Sequence, residues 1–449
     1  MTESSTVDIK NLSGLRVGVY HPWLKVGGSE CTAYWSAIAL HEAGADVTLL
    51  GPDTASLSSL NEAFGASTKN SIGDKGIKFA PLPVKQNLRL TGYSGYLRHF
   101  DQVARQTVDQ FDLVISAYNL MDFGKPGIHL IGDLTFDHKL NETVDPTGTV
   151  SKSSMHQLAT RMARPIINHF LPKPDIRDLY QKGHQIVANS IWTQEILKDY
   201  YQISDIPILY PPVPPVPGNL DSESREPNTF VYIGRISPEK QIQKMIQILS
   251  EVRKHHRVKF NIVGEIPNNS YGQSIQSLVA EHSSWITAKG RLVGNEKYRE
   301  LLSSDFGIQG RENEPFGIAV AEMAQAGCIL FHPGNGGQNE ILNHEALSFH
   351  SDQNAIAKIV KVLQLSSREK EDLRSSVVSL SQRFSIDRFK RDMIHVTSAG
   401  ETRIAESFQG SVHLKGHHLQ KDEDQGVKPL ERTSQSIAAR LLANPKEQG

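Results

Sequence analysis

Two series of short apolar segments alternate with helical stretches, and the proline-rich passage Tyr210-Pro-Pro-Val-Pro-Pro-Val-Pro217 stands between them. In the first series Leu15 to Tyr20, Asp46 to Leu50, Phe111 to Ser116, Ile128 to Ile131 and Gln185 to Asn189 read as strands, with a helix from Ser29 to Glu42 closed by Gly44. The second series contains Phe230 to Ile233, Lys259 to Val263, Phe306 to Gln309 and Cys328 to Phe331. Near-continuous apolar strands between helices call for a parallel sheet covered on both faces. A chain of 449 residues is also too long for one ordinary core. The reading is α/β, with two parallel sheets facing each other and the stiff proline passage as the hinge. Such sheets bind ligands beyond the carboxyl ends of their strands, which points to the cleft between the two. The expected boundaries are 1–212, 213–384, an amphipathic helix over 385–406, and a polar tail over 407–449 that is expected to be mobile.

Composition narrows the function. The net charge of −1 gives no basis for bulk nucleic-acid binding. Both cysteines, Cys31 and Cys328, sit within apolar pattern, which fits a reducing compartment rather than a disulfide framework. Met1 to Gly14 lacks a signal-peptide pattern, and no apolar run reaches the roughly 18 residues of a membrane span. The expectation is a soluble, cytoplasmic protein. No kinase signature set occurs. Asp422-Glu-Asp424 has the spacing of a metal-binding pair but lies in the polar tail, and His255-His256 lacks ligand spacing, so no metal site is expected.

The segment Glu314-Pro-Phe-Gly-Ile-Ala-Val-Ala-Glu322 carries the clearest chemistry. It follows the strand Phe306 to Gln309 and opens a helix near Gly317 that Gly327 ends. One acid stands in a strand-to-helix loop and the other inside the helix. Carboxylates accept paired hydroxyls, and amides at a helix start favour phosphate. Ile318 shares a face with Glu322, which places that acid in packed surroundings where it needs partners.

Three glycine-bearing loops could meet it. Phe230-Val-Tyr-Ile-Gly-Arg-Ile-Ser-Pro-Glu-Lys240 runs from strand to turn, and Arg235 and Lys240 can converge on one anion such as a diphosphate. Gly234 permits close approach of a ligand or backbone. In the first series, His21-Pro-Trp-Leu-Lys-Val-Gly-Gly-Ser-Glu30 places Gly27 and Gly28 before an expected Ser29 N-cap, without the Gly-x-Gly-x-x-Gly fingerprint. The third loop, Pro333-Gly-Asn-Gly-Gly-Gln-Asn-Glu340, follows the strand Cys328 to Phe331.

Together, Gly234-Arg235 with Lys240, Glu314 to Glu322, and Gly336-Gly337 with Glu340 resemble the retaining GT-B glycosyltransferases of family 4. Val26-Gly-Gly-Ser-Glu30 and Ile208-Leu-Tyr-Pro-Pro-Val213 are similar to further segments of that family. The resemblance spans about residues 15 to 395 and is strongest in the second half. It implies two facing Rossmann-like domains, with a C-terminal helix returning toward the first. The implied reaction is metal-independent transfer of a sugar, most readily a hexose, from a nucleotide-diphosphate sugar to a hydroxyl of a saccharide or lipid-linked acceptor. The nucleotide sugar is then a co-substrate, and no separate cofactor is implied. By the same resemblance, Arg235 and Lys240 hold the donor diphosphate and Glu322 binds the ribose. Glu314 and the amides of Phe316, Gly317 and Ile318 hold the transferred sugar. Gly27 and Gly28 approach the phosphates, and Gly264 with the loop 290–293 lines the base pocket. The leaving phosphate helps to deprotonate the acceptor on the same face.

One departure stands out. The family commonly has a histidine after the strand that here reads Gly127-Ile-His-Leu-Ile-Gly-Asp-Leu-Thr-Phe136, and Gly132 falls in its place. Two roles stay open for the adjacent Asp133: orienting the acceptor hydroxyl as a weak base, or serving as a strand-end turn residue. His129 reads as a core histidine. The stretch 151–182 combines Lys152, Arg161, Arg164, Lys173, Arg177 and Lys182 with helically spaced apolar residues. It reads as a helix packed on the sheet, or as a peripheral contact with an anionic membrane or lipid-phosphate acceptor. Two other functions remain: a sugar phosphorylase or synthase of the same fold, and a nucleotide-sugar-binding partner without catalysis.

Overall fold

The computed structural model describes residues 11–414 except 54, 65–71, 74–75, 85–87, 145–173 and 218–224. The first sheet contains β1 (Arg16–Tyr20), β2 (Asp46–Pro52), β3 (Lys78–Leu82), β4 (Leu113–Ser116), β5 (Ile128–Ile131) and β6 (Gln185–Ala188). The second contains β7 (Glu226–Ile233), β8 (Lys259–Val263), β9 (Ile286–Gly290), β10 (Ser304–Ile308), β11 (Ile329–Pro333) and β12 (Ser348–Phe349). All pairings are parallel, in the orders β3-β2-β1-β4-β5-β6 and β12-β11-β10-β7-β8-β9. The two sheets thus repeat one topology. In each, the strand order reverses between two neighbours, β1 and β4 in the first and β7 and β10 in the second. The crevice outside the carboxyl ends at that reversal is where such sheets take a ligand.

Sequence patterning explains the strands at the sheet centres. Every residue of β4, β5, β6, β10 and β11 is buried, as expected where helices cover both faces. The three strands not foreseen are edge or near-edge pieces with weaker patterns. Of these, β9 is largely exposed, β3 buries only Leu82 and β12 is only two residues long.

The chain crosses between the halves twice, and the crossings touch. Val213 N–H donates to Phe384 O at 3.1 Å, and Val213 bridges Ser385. Beyond the second crossing, a helix over Ile386–Leu414 runs past the expected limit at 406 and returns to the first half. It packs on the helix Gly28–Glu42 and on β6, and Lys390 pairs with Glu42 at 2.7 Å. Phe389, Met393 and Val396 join the core of the first half.

Candidate active site

The two reversal points carry the loops that the sequence singles out. Gly234 and Arg235 follow β7, and the segment from Arg311 to Glu314 follows its neighbour β10. Gly234 has φ +147, a conformation that L side chains rarely adopt, and Tyr232 OH donates to Arg235 O at 2.8 Å, bracing the turn. Gly264, after β8, lies so close that a Cβ there would collide with Gly234 O. Its N–H donates to Gly290 O at 2.8 Å, which brings the 290–293 loop alongside. Arg291 of that loop reaches across the cleft to Val26 O at 3.3 Å.

Lys240 lies in a 3-10 turn over Pro238–Lys240, before the helix Ile242–Val252, and the two elements join at Gln241 in the left-handed region. Its Nζ donates to Glu314 Oε2 at 2.5 Å, with side chains only 13% and 10% exposed. Arg311, which the sequence reading missed, pairs with the other Glu314 oxygen at 3.3 Å and is itself buried. Burial alone would raise the Glu314 carboxyl. Arg311, Lys240 and the Lys240 hydrogen bond outweigh it, with Arg235 adding to them, and hold the group down at about 2. Burial lowers the Lys240 ammonium, and Arg311 and Arg235 lower it further, while Glu314 opposes them. Arg235 differs: its side chain is 77% exposed, with Glu239 at 3.7 Å. The cluster therefore holds a buried, ionised acid between the buried Arg311 and the largely covered Lys240, with a solvent-facing guanidinium at its edge.

The helix Ile318–Gln325 begins beside it. Its N-cap, Gly317, sits at φ 99 and supplies no side-chain cap. The first amides of such a helix have no intrahelical acceptor, and together they form a positive end suited to an anion. The Phe316 side chain turns away into the core, against Tyr210 at 5.8 Å and Phe384 at 5.2 Å. Only the Phe316 backbone therefore remains for a ligand. Ile318 closes on the first half, and a Cβ at Gly28 would stand 3.1 Å from its Cδ1. Glu322 is 12% exposed and accepts from Lys297 Nζ at 2.6 Å, the partner that a packed acid requires. No spacing signal links Lys297 to Glu322, because they lie on different helices.

In the first half the expected Ser29 cap is displaced. The helix starts at Gly28 with extended Gly27 as N-cap, and Ser29 Oγ turns to Glu30 Oε2 at 2.9 Å. This end too lacks a side-chain cap. Asp133 lies beyond β5. Its Oδ1 accepts from Asn119 Nδ2 at 2.8 Å, Thr135 N at 2.9 Å and Thr135 Oγ1 at 2.6 Å. That is the bonding of a turn. His129 is a core residue, stacked and hydrogen-bonded to His184 at 2.8 Å, and burial pushes it well below the usual histidine range. The stretch 151–173 of the basic segment, and the tail beyond 414, lie outside the described residues. Within 174–182, Ile176 and Leu179 are buried, and Arg177 donates to the carbonyls of Tyr200 and Tyr201, so this part packs on the fold. Among the described residues no helix is long and apolar enough to cross a membrane.

Comparison with known proteins agrees with this fold. The two sheets and their helices have the GT-B fold. The Anabaena HepE protein, solved in complex with UDP and glucose, superposes with a TM-score of 0.55 at 15% identity, over 88% of this chain and 100% of that one. Residues 221–377 match the model of the family described as Glycosyl transferases group 1, so the chain carries a domain of that kind. A GDP-Man:Man(3)GlcNAc(2)-PP-Dol alpha-1,2-mannosyltransferase of Neurospora crassa is 24% identical over 201 residues, 37% of this chain and 36% of that protein. The Dictyostelium discoideum protein of the same name is 22% identical over 388 residues, 76% of this chain and 75% of its own length. The first of these matches thus spans about a third of its relative.

Proposed function

We propose that this chain is a glycosyltransferase that moves a hexose from a nucleotide-diphosphate sugar to a hydroxyl of a lipid-linked saccharide. Transfer proceeds with retention and without a resident metal ion. The observation that carries the reading is the buried Lys240–Glu314–Arg311 cluster beside the uncapped start of the Ile318–Gln325 helix. Lys240 and Arg235 hold the donor diphosphate and offset the charge that grows on it as the glycosidic bond breaks. Glu314 stays ionised across the physiological range and accepts sugar hydroxyls, fixed by its two cations. Glu322 takes the ribose, and Gly27 and Gly28 bring the first half against the phosphates. The leaving phosphate accepts the acceptor proton on the face from which it departs, and the turn at Asp133 orients the acceptor hydroxyl.

Two relatives named for a dolichol-linked acceptor and a GDP-mannose donor favour lipid-linked saccharide and GDP-mannose, and a second HepE structure, in complex with UDP-glucose, favours that donor. The reading puts the enzyme on the cytoplasmic face of a membrane, with peripheral contact through 151–173 of the basic stretch. The test is titration calorimetry with GDP- and UDP-sugars, followed by transfer to a polyprenyl-diphosphate-linked saccharide with the product anomer read by NMR. Retention of configuration in the presence of chelator is expected. Absence of binding to every nucleotide sugar overturns the reading. Binding without turnover selects the non-catalytic partner, and product formed from sugar phosphate alone selects the phosphorylase.

A further inference from the structure

Glu340 lies in the second half, yet its carboxylate is spent on the first. Its oxygens accept from Ile191 N at 3.0 Å and Trp192 N at 2.8 Å, the opening amides of the helix Ile191–Tyr201. Tyr210 OH, from the crossing segment, donates to the same group at 2.7 Å. An anion at a helix N-terminus satisfies orphan donors and meets the positive end of the macrodipole. The same helix start makes a second tie. Its N-cap, Ser190, accepts from Thr193 N with its Oγ and donates to Pro315 O at 2.6 Å.

The second tie ends on the loop that presents Glu314, and the first ends on a turn that packs against it. Gly337 N–H donates to Glu314 O at 2.8 Å, and a Cβ at Gly337 would collide with Pro315 O. A Cβ at Gly336, where φ is +82, would lie 2.7 Å from both Glu314 N and Glu314 O. The turn that carries Glu340 is thus packed directly on the backbone of Glu314. Tyr210 closes the circuit, with its ring 5.8 Å from that of Phe316.

From this geometry we infer that Glu340 is a positioning residue: by capping a helix of the first half, it registers the Glu314 loop against that half and so sets the donor-side acid relative to the acceptor side. The inference rests on the proposed transfer for its kinetic consequence and on structure alone for its mechanical one. Glu340→Gln keeps the shape but replaces one acceptor oxygen with an amide that faces an N–H. One half of the clamp then becomes donor against donor.

The experiment has two arms on the full chain. The native thiols Cys31 and Cys328 are buried, so spin labels at Ser58→Cys and Ser277→Cys, both exposed, report the separation of the halves by electron–electron resonance. Glu340→Gln is expected to broaden or shift the distance distribution. It should also lower kcat about tenfold or more, with donor Kd within about twofold, because misplacement costs the reaction while the second half still binds donor. Tyr210→Phe removes one of the bonds without touching the helix cap. It is expected to act in the same direction, more weakly, and it serves as the test if Glu340→Gln does not fold. Distance distributions in both variants that superpose on the unsubstituted protein's overturn the inference. A labelled pair that shifts in a chain that binds no nucleotide sugar sinks the functional proposal and leaves the clamp standing.

Discussion

Two loops at the carboxyl ends of strands each present an acid, and they handle it in opposite ways. Glu314, after β10, is held between two cations, Lys240 of the turn after β7 at 2.5 Å and Arg311 of its own loop at 3.3 Å. Asp133, after β5, satisfies one oxygen with Asn119 and its own next turn. The first arrangement costs desolvation of several charges and holds only because each charge is paired. The second is the ordinary chemistry of an Asx turn. Glu314 is thus held ionised by buried charge pairing, whereas Asp133 is held by hydrogen bonds within its own turn and to Asn119; under the proposed function only the first grips the transferred sugar.

The sharpest way to break this contrast is Glu314→Ala. It leaves Lys240 and Arg311 buried without their counter-ion, and we expect a loss of about 3–5 kcal/mol in urea unfolding together with abolished transfer. A variant of native stability and near-normal turnover would make Glu314 a bystander. Lys240→Met is next. Arg311 still pairs with Glu314, so stability falls by roughly 1.5–3 kcal/mol, while donor affinity by calorimetry weakens by about 2 kcal/mol, roughly thirtyfold. Equal donor affinity in variant and parent would remove Lys240 from the diphosphate. Glu322→Gln, which keeps a hydrogen-bonding side chain beside Lys297, is expected to weaken nucleotide binding by about 1 kcal/mol. Asp133→Asn has the smallest effect: its oxygen can still close the turn, so kcat should stay within about twofold. A large loss of kcat with a changed alkaline or acid limb in the pH profile would restore Asp133 as a base.

Acid titration sharpens the same comparison. The folded-state Glu314 carboxyl is depressed to about 2 from an ordinary 4.5. Its ionisation therefore contributes stability that is fully present above about 4.5 and is lost as pH falls toward 2. The stability difference between the unsubstituted chain and Glu314→Gln should be flat from neutral pH to about 5 and shrink below that. A difference that changes between pH 5 and 7 would contradict the paired, buried carboxylate.

Much of the fold was legible in the sequence because buried parallel strands need near-continuous apolar runs, and β1, β2, β4 to β8, β10 and β11 carry them. The edge strands β3, β9 and β12 escaped because an exposed or two-residue strand carries no such signal. The acids and glycines of the second half were readable too, since loop, helix start and acid lie within one continuous stretch from Glu314 to Glu322. Their partners were not. Lys297 and Glu322 meet from separate helices, and Arg311 stands out only as a charge just past a buried strand.

What the sequence determined by itself is local: where backbone must be helix or strand, where a glycine frees a turn, and that two acids share one strand-to-helix segment. Only the tertiary structure decided which charges are compensated and by whom. It placed Glu340 on the helix of the opposite half, turned Phe316 into the core and left Arg235 in solvent. The reason is that pairing of buried charge is set by distance in space and by the absence of water, and neither quantity is written in the order of residues along a chain.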